Sequence, residues 1–379
     1  MEKLEGRASG KFAPVIGRVT TSGVPFYARA GLVRVCSRLG LDCLGYRGCI
    51  TSGKRGWAIH PEHVYGVDGI DKLREGDIVQ LFDDGRILVQ WENGSSQNCF
   101  FLTEACNCNC LMCPQPPKEH NPAHLRDAHR ILSLLKDQKI GSICLTGGEP
   151  TLLGEKFVRF LARCVAEHPE AEIEILTNGK CFADAGFTRE VAAVATKSVC
   201  FCVSLHSDLD TVHDRMVGRP GSYAKTQKGI YRLAEHGCPI EIRHVITRIN
   251  FQRLKDFADH MHNYFPFCVH YAFMGLELCG HASENREEVD INPLEYVNYL
   301  QYAMRWMHRY HLNTSIYNLP LCVLPKDIRK NAARSISLWK NIYLPKCNDC
   351  VEKAACAGFF STSVSLPESS IQPIFSEEI

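Results

Sequence analysis

Several things are missing from this chain of 379 residues, and each absence removes a class of protein. Net charge is missing. The 43 Lys and Arg stand against 42 Asp and Glu, a formal +1, so no overall field draws the chain to nucleic acid or a membrane surface. No apolar run approaches the roughly 18 residues of a membrane span. The opening residues, MEKLEGRASGKF, lack the apolar stretch of a secretory signal. No internal repeat of the solenoid kind is present. The sixteen histidines are scattered and form no ligand pair. Only His206 and His244 stand out, by their position near strand ends. Apolar residues make up 45% and charged residues 22%, as in a soluble chain with room for two or three domains.

Cysteine, in contrast, is abundant, with twenty residues. Without a secretory signal the expected compartment is the cytoplasm, where clustered thiols bind metal or do redox chemistry rather than form disulfides. Cys144, Cys164, Cys238 and Cys268 sit in apolar runs and read as small buried hydrophobes.

Residues 1–12 read as a loose polar tail. Residues 13–97 read as a small β-rich N-terminal domain that could close as a barrel. Within it the runs 77–82 and 86–91 flank Asp83-Asp84-Gly85, a hairpin signal because Gly supplies the positive φ of the turn. Residues 92–97 form a linker. From 98 to about 290 strands and helices alternate. Strands are expected at 100–103, 141–146, 172–177, 198–205, 240–246 and 268–274. Helices lie between them, the first opened by Asn121-Pro122. The pattern predicts an α/β core, a partial (β/α)6 barrel, with its chemistry at the C-terminal ends of the strands. Residues 291–379 read as a long helix, a cysteine-rich segment and, over 362–379, a frayed tail.

Two cysteine groups carry the chemistry. In LTEACNCNCLMCPQPP (102–117), Cys106, Cys110 and Cys113 stand in C-x3-C-x2-C spacing. Three thiolates from one loop suit a metal or a cluster, and zinc would want a fourth ligand. Cys108, wedged between the first two, reads as an unligated thiol pointing away. The second group is Cys322, Cys347, Cys350 and Cys356, enough to complete a closed site holding an Fe–S cluster or zinc. Gly147-Gly148-Glu149-Pro150 ends the second strand. Two glycines there let backbone approach closely, and a carboxylate suits a cation. Thr177-Asn178-Gly179 ends the third strand. Ser204 shares a strand face with Cys200 and Cys202. Arg243, inside an apolar strand, must be paired; Glu241, two residues away, is one partner and a bound carboxylate another.

The cysteine loop after the first strand, with GGEP after the second, resembles the radical S-adenosylmethionine (SAM) superfamily over about residues 99–280. The resemblance implies a 4Fe–4S cluster on Cys106, Cys110 and Cys113, whose open iron chelates SAM. Reductive cleavage then gives a 5′-deoxyadenosyl radical that abstracts hydrogen. It also implies cofactor-binding roles for Gly147, Gly148, Glu149 and Pro150 at the methionyl ammonium. Met112 would pack near adenine or simply in the core. Asn178 would lie beside the ribose, Ser204 by the ribose or methionyl group, and Arg243 by the methionyl carboxylate. The second cysteine group is similar to the auxiliary-cluster extensions of peptide-modifying radical enzymes, in a shorter form. Asn98-Cys-Phe-Phe-Leu-Thr103, Cys110-Leu-Met-Cys-Pro-Gln-Pro-Pro117, Tyr317-Asn-Leu-Pro-Leu-Cys322 and Cys347-Asn-Asp-Cys350 together resemble the C-type radical maturases of His-Xaa-Ser peptide systems. That implies a ribosomally made precursor peptide as substrate, a second radical SAM enzyme as partner, and an electron donor such as flavodoxin or ferredoxin. Two other classes are a radical enzyme acting on RNA or a small molecule, and a non-catalytic zinc-binding protein. The balanced charge argues against an RNA cleft.

Overall fold

The computed structural model describes residues 3–54, 60–334, 341–360, 362 and 371–375. Its N-terminal sheet comprises β1 (Lys3–Glu5), β2 (Arg7–Ala8), β3 (Val15–Thr20), β4 (Leu32–Cys36), β5 (Gly48–Thr51), β6 (His63–Tyr65), β7 (Ile78–Leu81) and β8 (Arg86–Trp91). The strand order is β1-β8-β7-β3-β4-β5-β6-β2. Its two ends are one segment, because only Gly6 separates β1 from β2. The sheet is therefore closed. Leu4 pairs with Ile87 on one side of the break, and Arg7 with Tyr65 on the other. Residues 3–8 are thus a closing strand, not the loose tail expected from their polarity. The reason is alternation: Leu4 turns inward and joins Val15, Val33, Ile50, Val64, Val79 and Ile87 in the barrel core. The β7–β8 hairpin turns through Gly85 at φ +91°, as its sequence requires.

The second sheet holds β9 (Cys99–Phe101), β10 (Ser142–Thr146), β11 (Glu172–Thr177), β12 (Val199–Ser204), β13 (Ile240–Val245), β14 (His270–Met274), β15 (Thr314–Tyr317) and β16 (Ala332–Ala333). Their order follows the chain, and β11 through β16 pair in parallel. The described helices are α1 (Pro122–Leu135), α2 (Glu155–Glu167), α3 (Ala185–Val194), α4 (Asp210–Met216), α5 (Ser222–Glu235), α6 (Leu254–Tyr264), α7 (His281–Glu284), α8 (Arg286–Val289) and α9 (Pro293–Arg309). Strand–helix alternation with sequential order is the α/β architecture expected, and six of the eight strands are those foreseen. By proximity the chain groups into two units. One holds residues up to 102 with 122–143 and 166–171; the other holds 103–121, 144–165 and 172 onward. Among the described residues no helix is long and apolar enough to cross a membrane.

The two faces of β11–β15 differ chemically. One face carries Ile173, Ile175, Val199, Phe201, Val203, Ile242 and Phe273, all buried. The other carries Glu174, Cys200, Cys202, Ser204, Glu241, Arg243, His270 and Ser315, which the registers set side by side. On this polar face Glu241 accepts from Arg243 Nε at 2.5 Å and from His270 Nδ1 at 2.7 Å. His270 Nε2 meets Ser315 Oγ at 2.9 Å, and Arg243 Nη2 reaches Glu174 at 3.4 Å. On the opposite face His244 is buried against Phe257 of α6, ring centroids 4.1 Å apart.

Two titratable groups of β13, Glu241 and His244, make stability depend on pH in the same direction. Burial pushes the His244 imidazole down to about 3, reinforced by His213 and resisted by the Leu205 carbonyl and Asp208. Burial raises the Glu241 carboxyl, but the His270 hydrogen bond and the Arg243 charge outweigh it and hold it at about 2. A neutral buried histidine stabilises the fold above its unfolded pKa near 6.5, and that contribution disappears as pH falls toward 3. The Glu241 contribution is present above about 4.5 and fades toward 2. Urea unfolding of the metal-free protein should therefore show stability falling by roughly 1.4 kcal/mol per pH unit below 6.5 from His244, and more steeply below about 4.5. A flat profile from pH 7 to 5 would contradict a neutral, buried His244.

Candidate active site

The cysteine loop is held by backbone contacts along its length. Gly148 N–H donates to Thr103 O and Glu149 N–H to Ala105 O, both at 2.8 Å. Past the first cysteine, Asn109 N–H reaches Val217 O and Leu111 N–H reaches Met216 O at the end of α4, and His281 N–H reaches Cys113 O, each at 2.9 Å. Side chains complete the pinning. Lys180 Nζ donates to Asn107 O at 2.8 Å and Asn285 Nδ2 to Leu111 O at 3.0 Å. A loop pinned this way presents its thiols in a preset arrangement.

Gly148 shows why glycine is needed. A Cβ there would lie 2.5 Å from Ala105 O and 2.7 Å from Glu104 O, so only a bare backbone fits against the loop. Glu149 is fully buried, and its carboxylate is spent on protein partners. Oε1 accepts from Thr151 N–H at 3.1 Å, Thr151 Oγ1 at 2.5 Å and Thr177 Oγ1 at 2.8 Å; Oε2 accepts from Asn178 N–H at 2.7 Å. Burial pushes its carboxyl up against these four bonds. Pro150 is buried at the start of a short turn that Glu149 caps. Asn178 Nδ2 donates to Asn107 Oδ1 at 2.7 Å and lies 3.9 Å from Cys106 Sγ.

Cys108 does not point away from its neighbours. Its thiol hydrogen-bonds with Cys106 and Cys110 and lies beside Lys180, contacts that hold it well below the usual thiol range. The contact with Cys108, followed by burial, pushes Cys106 and Cys110 up. Burial pushes Cys113 up as well. Lys180, a buried ammonium that needs acceptors, adds to the hydrogen bonds from Cys106 and Cys110 in lowering Cys108. It finds Asn107 O, the Ser222 hydroxyl at 3.3 Å and the Cys108 sulfur. The sequence does not separate this lysine from a surface one.

Met112 packs in an apolar cluster with Met216, Leu278, Ala282 and Val289. Ser204 and Arg243 are register partners on the polar face, and Arg243 makes the ion pair with Glu241 that the sequence left as one of two options. His206 and His244 are joined by His213 of α4, which sequence reasoning missed. The His206 and His213 rings stack 5.8 Å apart, and His213 Nδ1 accepts from His206 N–H at 3.2 Å. Asn250 Nδ2 closes the group, 2.9 Å from His206 O and 3.1 Å from His244 Nε2.

The second cysteine group also assembles. Cys356 is electrostatically coupled to Cys322, Cys347 and Cys350. Burial, followed by Cys356, pushes Cys322 up to about 11. A cleft beyond the strand ends is lined by Ile246, Leu276 and Asn318, after β13, β14 and β15, and by Gly358 and Phe360 next to Cys356. Among the described residues, no three His, Cys, Asp or Glu side chains meet at a single-ion site.

Residues 100–261 match the model of the Radical SAM superfamily. This stretch carries a radical SAM domain, and the family of that domain implies a 4Fe–4S cluster and SAM. It is 27% identical over 199 residues to the sporulation killing factor maturation protein SkfB of Bacillus subtilis, covering 52% of this chain and 46% of SkfB. It is 25% identical over 202 residues to the antilisterial bacteriocin subtilosin biosynthesis protein AlbA of the same organism, covering 50% and 43%. The chain thus spans about half the length of the curated relatives it matches. SuiB of Streptococcus suis, solved with S-adenosylmethionine bound, aligns at 17% identity and a TM-score of 0.48 over 57% of this chain and 49% of SuiB.

Gly148→Ala should push the Ala105 carbonyl away, costing about 1–3 kcal/mol of stability and lowering iron retained per chain after anaerobic reconstitution. Gly141→Ala is the control, since a Cβ at Gly141 meets nothing within 4 Å. Equal iron content and urea midpoints in the two variants would refute the close approach.

Proposed function

We propose that the chain is a radical SAM enzyme that modifies a ribosomally made peptide by hydrogen abstraction. The convergence of the three-cysteine loop, Gly147, Gly148 and Asn178 on one set of strand ends carries this conclusion. The donor set fits a 4Fe–4S cluster. Three soft thiols come from one pinned loop, and in a cluster each binds a different iron, so they need not meet at one point. A single zinc ion needs ligands converging to about 2.3 Å.

When bound, the reduced cluster and SAM supply a 5′-deoxyadenosyl radical. The chain's own residues do the positioning. Cys106, Cys110 and Cys113 hold the cluster. Gly147 and Gly148 let the turn close against Thr103 and Ala105, which sets its backbone beside the loop for the methionyl end, and Pro150 starts the turn behind them. Glu149 acts by locking the Asn178 amide and the Thr177 hydroxyl, which keeps the third strand end against the loop. Asn178 and Ser204 line the ribose side. Arg243, anchored by Glu241 and Glu174, keeps a cation on the polar face for a carboxylate. Met112 forms the apolar floor of the loop. Cys108, hydrogen-bonded with Cys106 and Cys110 and beside Lys180, is the fourth sulfur of the loop and is assigned no iron.

The cleft at the ends of β13–β15 is the proposed peptide site. Cys322, Cys347, Cys350 and Cys356 are proposed to hold an auxiliary Fe–S cluster that takes up an electron; zinc, the other occupant expected of these donors, would need them to draw together on one ion. Residues 13–97 are proposed as an N-terminal domain, 98–290 as the radical core and 291–379 as the extension that carries the second site. The proposed partners are the precursor peptide, an electron donor such as flavodoxin or ferredoxin, and a second radical SAM enzyme, in a cytoplasmic setting. The similarity to SkfB and AlbA supports the peptide class.

The test is anaerobic incubation with SAM, reductant and a short peptide encoded beside this gene, followed by mass spectrometry. Cys110→Ala should abolish cofactor cleavage, by at least a hundredfold, whereas Cys350→Ala should spare cleavage and lose peptide product. Normal cleavage by Cys110→Ala refutes the ligand assignment. An unchanged peptide despite 5′-deoxyadenosine release rules out that peptide.

A further inference from the structure

Backbone amides are aimed at the sulfurs of the second cysteine group. Leu321 N–H and Gly358 N–H both donate to Cys356 Sγ at 3.3 Å. Ile374 N–H donates to Cys350 Sγ at 3.4 Å, and the Gln372 amide donates to Cys322. Two of these four donors come from one short stretch, residues 371–375, within the region read from sequence as a frayed tail. Residues 363–370 and 376–379 of that region lie outside the described residues. The stretch has no regular secondary structure. Ile371 and Ile374 nevertheless anchor it, 3% and 2% exposed, and Val351 N–H bonds Ile374 O at 3.0 Å.

A neutral thiol is a weak acceptor. Four N–H groups aimed at three sulfurs gain much more when the sulfur is charged. A metal-bound thiolate is charged, and hydrogen bonds to its sulfur tune affinity and potential. We propose that residues 371–375 form a strap built into the four-cysteine site, whose Gln372 and Ile374 amides stabilise the thiolates of Cys322 and Cys350 and so retain the metal centre. The inference rests on the metal-ligand reading of these four cysteines given under Proposed function.

The strap acts through the ligands, so its residues are positioning residues and the readouts are metal retention and potential. The background is the full-length chain with Cys106→Ala, Cys110→Ala and Cys113→Ala, in which any bound metal belongs to the second site. Iron, sulfide and zinc per chain are measured after anaerobic reconstitution, together with the rate of release to a chelator. Ile374→Pro and Gln372→Pro each remove one amide hydrogen. Ile374→Val keeps the amide. I371D/I374D expels the strap. The proline variants should release metal at least fivefold faster than the parent, with a more negative midpoint potential where the metal is iron. Ile374→Val should match the parent, and I371D/I374D should lose most of its metal. The same substitutions in the intact-cysteine chain should leave cofactor cleavage unchanged, which shows that the core has folded. Parent-like release from both proline variants and from I371D/I374D overturns the strap alone. A background chain that binds neither iron nor zinc overturns the metal reading and the strap with it.

Discussion

One buried carboxylate ties the site together. Glu149 has no solvent contact, yet it answers donors from two strand ends, Thr151 after β10 and Thr177 with Asn178 after β11. Its own amide meanwhile holds Ala105 of the cysteine loop. Desolvating a carboxylate is costly unless its lone pairs are filled, and here four donors fill them. Removing any of these partners would strand charge in the interior. The register between loop, turn and third strand end is therefore set with little freedom, and the thiols inherit that rigidity.

The sheet serves the site through its two faces. The apolar face packs into the buried interior and gives the strands their positions. The polar face keeps a network, Glu174 to Arg243 to Glu241 to His270 to Ser315, in which each charged group has a partner. Breaking such a network by removing one member costs more than the network contributes over an apolar replacement.

The relatives and the geometry speak to different levels. The family match covers residues 100–261, the stretch that holds the cysteine loop, the glycine turn and β10 to β13. The four-cysteine segment and the barrel formed by residues 3–8 with β3 to β8 lie outside it. The barrel is defined by its closed hydrogen-bond order and the segment by amide donors directed at sulfur.

Local spacing in the sequence was enough to mark the cysteine loop, Gly147-Gly148, the hairpin at Gly85 and the strand–helix alternation. Each depends on neighbours within a few residues: a tight turn, a period of two or of 3.6, or thiols on one loop. Long-range neighbours decided everything else. Lys3 to Ala8 read as polar, and they became a strand because a barrel with β6 and β8 at its open edges needed one. Lys180 and His213 look like surface residues until the fold buries them beside Cys108 and His206. Gln372 and Ile374 look like the end of a frayed tail until Cys322 and Cys350, far earlier in the chain, give their amides an acceptor. Periodicity reports which face a side chain takes; only the closed chain shows what waits on that face.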